Sequence, residues 1–208
     1  MILCWAAKGG SGTTVIAAAL ALLAAQQHAT TLVDLAGDSA VALGHAEPAG
    51  PGVLDWMTSP TAGAEALARL AVEVGPNLHL LPRGQGEPPP GRWADLAAAL
   101  QHLPGVVIDA GTGEPVAALH DAATQSLLVT RPCFLALRRA VQLSIKPTGI
   151  VLVDEPGRAL RARDVEHALA APVVAEVLID PAVARAVDAG LLASRLPRAL
   201  VQQLRNAA

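Results

Sequence analysis

The stretch AAKGGSGTTVI, residues 6–16, decides the fold of the N-terminal part of the chain. It joins the apolar run MILCWAA (residues 1–7) to TTVIAAALALLAAQQH (residues 13–28), which is rich in alanine and leucine. The first segment is typical of a buried strand, and the second favours a helix. A glycine-rich turn between a strand and a helix can direct backbone N–H groups and the positive end of the helix dipole at a phosphate. The stretch therefore predicts either a phosphate-binding loop or a simple glycine-rich turn.

The loop differs at two positions from the usual phosphate-binding pattern GxxxxGK[ST]. Ala7 stands where the pattern has its first glycine, and Thr13 stands where it has its lysine. Thr14 occupies the Ser/Thr position whose hydroxyl binds Mg²⁺ in such loops. Lys8 precedes the glycines and is one of only two lysines in the chain, against thirteen arginines. Because lysine is so rare here, its presence at this position is informative.

Two aspartates end apolar strands elsewhere in the sequence. Asp34 closes TTLVDL (residues 30–35), and Asp109 stands in VVIDAG (residues 106–111). The carboxyl ends of parallel strands meet at one edge of a sheet, so both carboxylates should lie near the glycine-rich loop. An aspartate at the end of an apolar strand holds Mg²⁺ in phosphate-binding enzymes. Each aspartate alone also fits a helix cap or a turn.

The rest of the chain alternates apolar runs with helical patterns. The further predicted strands cover residues 78–82, 105–111, 125–132, 148–157 and 172–180. The further predicted helices cover residues 50–57, 64–74, 92–103, 115–123, 134–143, 162–170, 181–192 and 197–208. Strands that are apolar throughout and alternate with helices predict a parallel sheet covered on both faces. We therefore predict a single α/β domain over residues 1–208, with a doubly wound, mainly parallel sheet.

Composition and charge narrow the class of protein. The net charge of −3 and the lack of a basic tail argue against nucleic-acid binding. Cys4 and Cys133 are too few to indicate a disulfide framework. The apolar residues 15–25 are too short to span a bilayer, and no signal-peptide pattern opens the sequence. We therefore expect a cytoplasmic protein.

Five segments follow one another along the chain in a distinctive order. They are KGGSGTT (residues 8–14), LVDLAGDSAVALG (residues 32–44), VVIDAGTG (residues 106–113), LLVTRP (residues 127–132) and DPAVARAVDAGLL (residues 180–192). Together they resemble the ParA/MinD superfamily of P-loop proteins with a deviant Walker motif. The first and second segments are most similar to the CpaE/TadZ and septum-site-determining branch. The resemblance runs through nearly the whole chain and implies a P-loop NTPase-like fold that binds ATP or ADP with Mg²⁺.

The resemblance also implies roles for individual residues. Lys8 would reach across a homodimer to the nucleotide of the partner subunit. Asp34 and Asp109 would join Lys8 as catalytic residues, with Asp34 positioning water and Asp109 acting as the Walker B aspartate. Thr14 would bind Mg²⁺ together with both aspartates. The implied phosphate cradle consists of Lys8, Gly9, Gly10, Ser11, Gly12, Thr13 and Thr14, and the implied base pocket contains Asp154, Asp180 and Pro181.

The sequence departs from the family pattern at positions that matter for catalysis. Thr13 leaves the loop without its own lysine, and Ala36 replaces the second aspartate of the family's DxD motif. Loss of one charge-stabilising group typically costs about 10²–10³ in rate. Asp154 and Glu155 stand where family members often have Asn and Arg, and an acidic group there can accept hydrogen bonds from guanine instead of adenine.

Three functions remain open from the sequence. The first is a positioning protein with weak or absent ATP hydrolysis, acting on a pilus or secretion apparatus or on the division septum. The second is a working ATPase in which Lys8 acts in trans, and the third is an interaction module that binds no nucleotide. Each involves a protein partner complex. A weakly amphipathic C-terminal segment, residues 196–208, also suggests membrane contact, and a partner could equally recruit the protein to the membrane.

Overall fold

A computed structural model describes residues 1–207, and Ala208, the end of the predicted C-terminal helix, lies outside the described residues. The strands are β1 (Ile2–Ala6), β2 (Thr30–Asp34), β3 (Val72–Gly75), β4 (Leu78–Leu81), β5 (Val106–Thr112), β6 (Gln125–Thr130), β7 (Gly149–Asp154) and β8 (Val173–Leu178). The helices are α1 (Thr13–Ala25), α2 (Ser39–Leu43), α3 (Val53–Thr58), α4 (Ala64–Ala68), α5 (Trp93–Leu100), α6 (Ala117–Ala122), α7 (Phe134–Val141), α8 (Ala162–Leu169), α9 (Pro181–Asp188) and α10 (Arg198–Leu204). In this described part, no helix combines the length and apolarity that crossing a bilayer requires.

The eight strands form one sheet in the order β3-β4-β2-β5-β1-β6-β7-β8. Every neighbouring pair is parallel except β3 and β4, which are antiparallel. Parallel neighbours need long crossover connections, and helices supply them here. The structure confirms the prediction of a doubly wound, mainly parallel sheet.

Helices cover both faces of the sheet. Helices α1, α2, α9 and α10 pack on one face, whereas α3 to α8 pack on the other. Along β1, Cys4 joins the core on the first face, while Leu3 and Trp5 join the core on the second. Successive side chains of a strand point to opposite faces, so a sheet buried on both sides must be apolar throughout. This explains the continuous apolar runs of the sequence.

The prediction of one helix over residues 64–74 is wrong in its second half. The helix α4 ends at Ala68, and Val72–Gly75 forms the edge strand β3. Pro76 and Asn77 connect β3 to β4, and Asn77 has a left-handed backbone with φ of 57°. Proline followed by a left-handed asparagine makes a tight turn that pairs the two strands. This pairing overrides the helix propensity of the alanine-rich segment.

The sheet brings the predicted site residues to one edge. Strand β5 lies between β1 and β2, so Asp109 is in register with Cys4 on one side and with Asp34 on the other. Helix α1 begins at Thr13, after the loop that follows β1. Ligands of parallel α/β sheets bind in the crevice outside the carboxyl ends of the strands. The two aspartates and the glycine-rich loop all lie at this crevice.

Candidate functional site

The loop between β1 and α1 adopts a conformation that requires glycine. Gly10 and Gly12 have φ angles of 77° and 91°, in the left-handed region that other residues rarely adopt. A Cβ at either position would meet no atom within 4 Å, so backbone conformation and not crowding selects glycine. The Ser11 hydroxyl closes the loop by donating to the Lys8 carbonyl at 2.7 Å. The space around the loop is open to an anion.

A polar cleft of about 550 Å³ lies over the loop. It is lined by residues 10–15, 35–36, 38, 83 and 110–112. These residues come from the loop, from the start of α1, from the segments that follow β2 and β4, and from the last three residues of β5. The cleft therefore joins the predicted phosphate loop to the end of β2, where Asp34 stands, and to the part of β5 that follows Asp109.

Asp109 is fully buried behind the cleft. Its Oδ1 accepts a hydrogen bond from the Gly111 N–H at 3.0 Å, and the Ser39 hydroxyl donates to its Oδ2 at 3.4 Å. Burial raises the pKa of Asp109 to about 6. The Thr14 hydroxyl and the Gly111 N–H oppose this rise in pKa, whereas the charge of Asp34 adds to it. A cation near this carboxylate would relieve the cost of its buried charge.

The carboxylate of Asp34 holds the turn that follows β2. Its Oδ1 accepts from the backbone N–H groups of Ala36 at 3.0 Å and Gly37 at 2.6 Å, and its Oδ2 accepts from that of Ser39 at 3.0 Å. Burial raises the pKa of Asp34 above its ordinary value, and these three N–H groups oppose the rise. Asp34 thus fixes one wall of the cleft, and its catalytic and metal-binding roles stay predictions.

Thr14 and Asp109 fit a magnesium site. Thr14 lines the cleft, and its hydroxyl interacts with the Asp109 carboxylate. Mg²⁺ takes oxygen ligands and usually keeps several waters, so a hydroxyl and a carboxylate beside a phosphate suit it. When bound there, Mg²⁺ would supply positive charge that neutralises the phosphates. The two residues can hold and orient the ion together with its waters.

The loop itself brings no positive side chain over the cleft. Thr13 is buried at the cleft and presents a hydroxyl where the usual loop presents an ammonium group. The Lys8 ammonium donates to the carbonyl of Gly9 at 3.4 Å. Within residues 1–207, Lys8 is not among the residues that line the cleft. Lys8 therefore adds no side chain to the lining of the cleft of its own chain.

An apolar cavity of about 240 Å³ adjoins the loop at Gly12. It is lined by residues 12, 15–16, 153, 177–180, 183–184, 187–188 and 200. A small, mostly apolar pocket beside a phosphate site suits the flat ring of a nucleobase. Asp180, a predicted base-pocket residue, lies in the wall of this cavity. Its side chain also caps α9 by accepting from the Ala182 N–H at 2.7 Å.

Asp154 and Pro181 lie at the same edge of the sheet but outside this cavity, as far as the described residues define it. The Asp154 carboxylate accepts from the Glu155 N–H at 2.9 Å. Glu155 in turn accepts from the Nε of Arg158 at 2.9 Å. Local partners therefore engage both of the acidic groups that can accept a hydrogen bond from guanine instead of adenine. Pro181 forms the first turn of α9.

Several residues at the site were missed by the sequence analysis. Arg83 lines the phosphate cleft from the proline-rich loop after β4. Its position just beyond the strand LHLLP was a usable signal, because the carboxyl end of that strand also lies at the edge of the sheet where ligands bind. Val15, Val183 and Val187 line the apolar cavity, and they belong to no motif. Their sequence pattern does not distinguish them from ordinary core residues.

In residues 196–207 of the amphipathic C-terminal segment, the leucine side chains pack into the core and form no free apolar surface. Leu200 and Leu204 of α10 are buried in the core, where the helix packs against α1 and β8. Membrane binding by such a helix requires its apolar face to be accessible to lipid. In this conformation the suggestion of direct membrane contact through this segment therefore loses its basis.

No protein-family model and no curated protein sequence matches the chain. Three solved structures illustrate its likeness to known folds. A ParA family ATPase from Chlorobium tepidum aligns with a TM-score of 0.78 and 20% identity, over 98% of this chain and 94% of that chain. The septum site-determining protein MinD of Pyrococcus horikoshii, complexed with Mg-ADP, aligns with a TM-score of 0.76 and 17% identity, over 97% and 91%. The MinC:MinD cell division complex of Aquifex aeolicus aligns with a TM-score of 0.75 and 18% identity, over 99% and 94%. Likeness at these identities establishes the fold.

Proposed function

We propose that the chain is a nucleotide-binding protein of the ParA/MinD type that positions a partner complex and hydrolyses ATP weakly or not at all. The observation that carries this proposal is the cleft formed by the glycine-rich loop, Thr14, the turn after Asp34 and the part of β5 that follows Asp109. The adjoining apolar cavity, with Asp180 in its wall, has the properties of a base pocket. The fold shared with MinD, solved with Mg-ADP, supports ATP or ADP with Mg²⁺ as the ligand.

Two substitutions support weak hydrolysis. Thr13 leaves the loop without a lysine, and Ala36 places a methyl group at the mouth of the cleft where the family pattern has a second aspartate. Phosphoryl transfer depends on positioning and on stabilising charge, so the missing groups affect turnover strongly. Binding depends less on them, because backbone N–H groups of the loop and the start of α1 still face the phosphates.

We further propose that the protein acts in the cytoplasm as a homodimer, in the manner of the CpaE/TadZ and septum-site-determining branch. The Lys8 ammonium has only the nearby Gly9 carbonyl as a hydrogen-bond acceptor among the described residues, which favours a role in trans. Phe134 and Leu135 are exposed on α7 beside Arg138 and Arg139. These residues offer an apolar and basic surface to a protein partner, which could recruit the chain to the membrane.

Isothermal titration with Mg·ATP is the first test of this function. We expect binding heat and a rise in the unfolding temperature, with little release of phosphate, because the cleft can hold the nucleotide but lacks the usual cationic group. Absence of both heat and thermal shift would leave only a nucleotide-free interaction module. Clear turnover that Asp34→Ala abolishes would instead support a working ATPase.

The trans role of the loop lysine predicts that Lys8→Ala weakens nucleotide-dependent dimerisation. The expected result is a loss of dimer in sedimentation with Mg·ATP, with little change in the unfolding temperature, because Lys8 makes only a peripheral contact in its own chain. The matched control is Lys146→Ala, since Lys146 is the other lysine and is exposed after α7. A Lys8→Ala variant that dimerises like the wild type would refute the trans role.

A further inference from the structure

Arg83 contributes a cationic side chain to the lining of the polar cleft, although the glycine-rich loop contributes none. Among the lining residues that the structure describes, Arg83 is the only basic side chain. It follows β4, and β4 pairs in parallel with β2, so the carboxyl ends of these two strands meet at the edge where the cleft opens. Arg83 also lines a smaller cavity beside it, together with Asp34 and Gly37.

The backbone of Arg83 is held in place by the start of α3. The carbonyl of Pro82 accepts from the Val53 N–H at 2.8 Å, and the carbonyl of Arg83 accepts from the Leu54 N–H at 2.9 Å. The Asp55 carboxylate accepts from the N–H of Gln85 at 3.2 Å. A residue fixed on both sides at the end of a core strand can present its side chain in a defined direction.

The side chain of Arg83 extends towards the turn after β2. Its Cδ would lie 3.5 Å from a Cβ placed on Gly37, and Gly37 has a left-handed backbone with φ of 107°. One Nη2 hydrogen is donated to the Gly86 carbonyl at 3.1 Å. The ion pairs within residues 1–207 involve Arg92 with Asp95 and Arg158 with Glu155, so none uses Arg83. A guanidinium group has five N–H donors, and most of them remain available to an anion.

We propose that Arg83 binds the terminal phosphates of the nucleotide and supplies in cis the positive charge that Thr13 does not. This inference rests on the proposed nucleotide-binding function and extends it to a residue outside the glycine-rich loop. A guanidinium group suits the task because it forms two parallel hydrogen bonds to phosphate oxygens. The positive charge then comes from the segment after β4, the strand beside β2, and not from the glycine-rich loop.

The test compares ATP, ADP and AMP binding by titration calorimetry in the wild type and in Arg83→Ala. We expect ATP and ADP to bind about 10- to 100-fold more weakly to the variant, in line with the loss of hydrogen bonds to a charged group. AMP binding should change less than twofold, because AMP lacks the terminal phosphates. Arg83→Lys should retain part of the affinity. The matched control is Arg163→Ala, which removes an exposed cation from α8 and should leave all three affinities unchanged.

A rescue experiment separates charge from structure. Thr13→Lys, which restores the lysine of the loop, should recover most of the ATP affinity in the Arg83→Ala background. Unfolding temperatures within a few degrees of the wild type would show that both variants fold. If the wild type binds ATP and Arg83→Ala binds it with the same affinity, the role of Arg83 is overturned and the proposed function stands. Equal losses of ATP affinity and AMP affinity in Arg83→Ala would lead to the same conclusion. Failure of the wild type to bind ATP would overturn the proposed function and this role together.

Discussion

Asp109→Asn is expected to stabilise the metal-free and nucleotide-free protein by about 3 kcal/mol at pH 7.5. Burial raises the pKa of Asp109 from 3.8 to about 6. Each unit of difference in pKa between the folded and unfolded states corresponds to about 1.4 kcal/mol. Asparagine keeps an oxygen that can accept from the Gly111 N–H and an amide that can donate to Ser39, so the substitution removes the charge and retains the shape.

The sign of the effect follows from the raised pKa. Below about pH 3.8 Asp109 is protonated in both states, and the wild type and the variant should differ little. Between that value and about pH 6 the unfolded chain is ionised while the folded protein holds the proton, so wild-type stability falls as the pH rises. Above about pH 6 the full cost of the buried charge is present. The advantage of the variant therefore grows with pH and then levels off.

Chemical denaturation at pH 4.5 and at pH 7.5, without metal or nucleotide, measures this difference. The control is Asp121→Asn on α6, because Asp121 is exposed and surface substitutions usually change stability by about 0.5 kcal/mol or less. An Asp109→Asn variant that is equally or less stable than the wild type at pH 7.5 would show that the buried charge is compensated in the free protein.

The expected cost of the buried Asp109 charge to the stability of the free protein bears on the function of this residue. Asp109 lies beside the Thr14 hydroxyl, behind a cleft suited to Mg²⁺ and phosphate. Sites that trade stability for activity commonly gain stability when their charged groups are removed. The expected gain at Asp109 therefore accords with a group kept for metal binding and not for packing. The same substitution should reduce the dependence of ATP binding on Mg²⁺.

The fold was predictable because the patterns that indicate it are local stretches of the sequence. Apolar strands alternate with helices, and this order alone indicates a parallel sheet with two covered faces. The loop at residues 8–14 and Asp109 were predictable for the same reason, since the loop directly follows β1 and Asp109 lies within the apolar strand β5, although β5 continues to Thr112 instead of ending at the aspartate. The edge strand β3 was not predictable from propensity, because pairing with β4 through Pro76 and Asn77 decides its conformation.

The rest of the site depends on contacts between distant segments. The sequence places Arg83 just beyond a strand, but its position at the polar cleft also requires β4 to pair with β2, and the sequence does not state which strands are neighbours. The apolar cavity is lined by residues of α1, α9, β7 and β8, so its valines carry no local signature. The sequence could place Asp34 at the edge of the sheet where the carboxyl ends of the strands meet. The three hydrogen bonds that its carboxylate accepts from the following turn appear only in the structure.

The second large effect is expected from Gly52→Ala, which should destabilise the protein by about 3 kcal/mol or more. Gly52 lies just before α3, in contact with the loop after β4 that contains Arg83. A Cβ on Gly52 would lie 2.2 Å from the Pro82 carbonyl oxygen, 2.4 Å from the Gly84 nitrogen and 2.6 Å from the Arg83 carbonyl carbon. Backbone atoms cannot move aside as a flexible side chain can, so overpacking here is costly. Helix α3 must shift away from the loop, which breaks the bonds that Val53 and Leu54 donate to it.

The matched control is Gly63→Ala. Gly63 precedes α4 as Gly52 precedes α3, and neither glycine has a positive φ angle. No atom lies within 4 Å of a Cβ on Gly63, so its substitution should cost less than about 1 kcal/mol, mainly through a poorer helix cap. Urea denaturation of both variants measures the contrast. Similar stability of the two variants would mean that α3 moves without cost, and Arg83 would then lack the rigid support that its proposed phosphate contact requires. A large cost at Gly52 alone, accompanied by weaker ATP binding under conditions where the variant remains folded, would tie that support to the ligand.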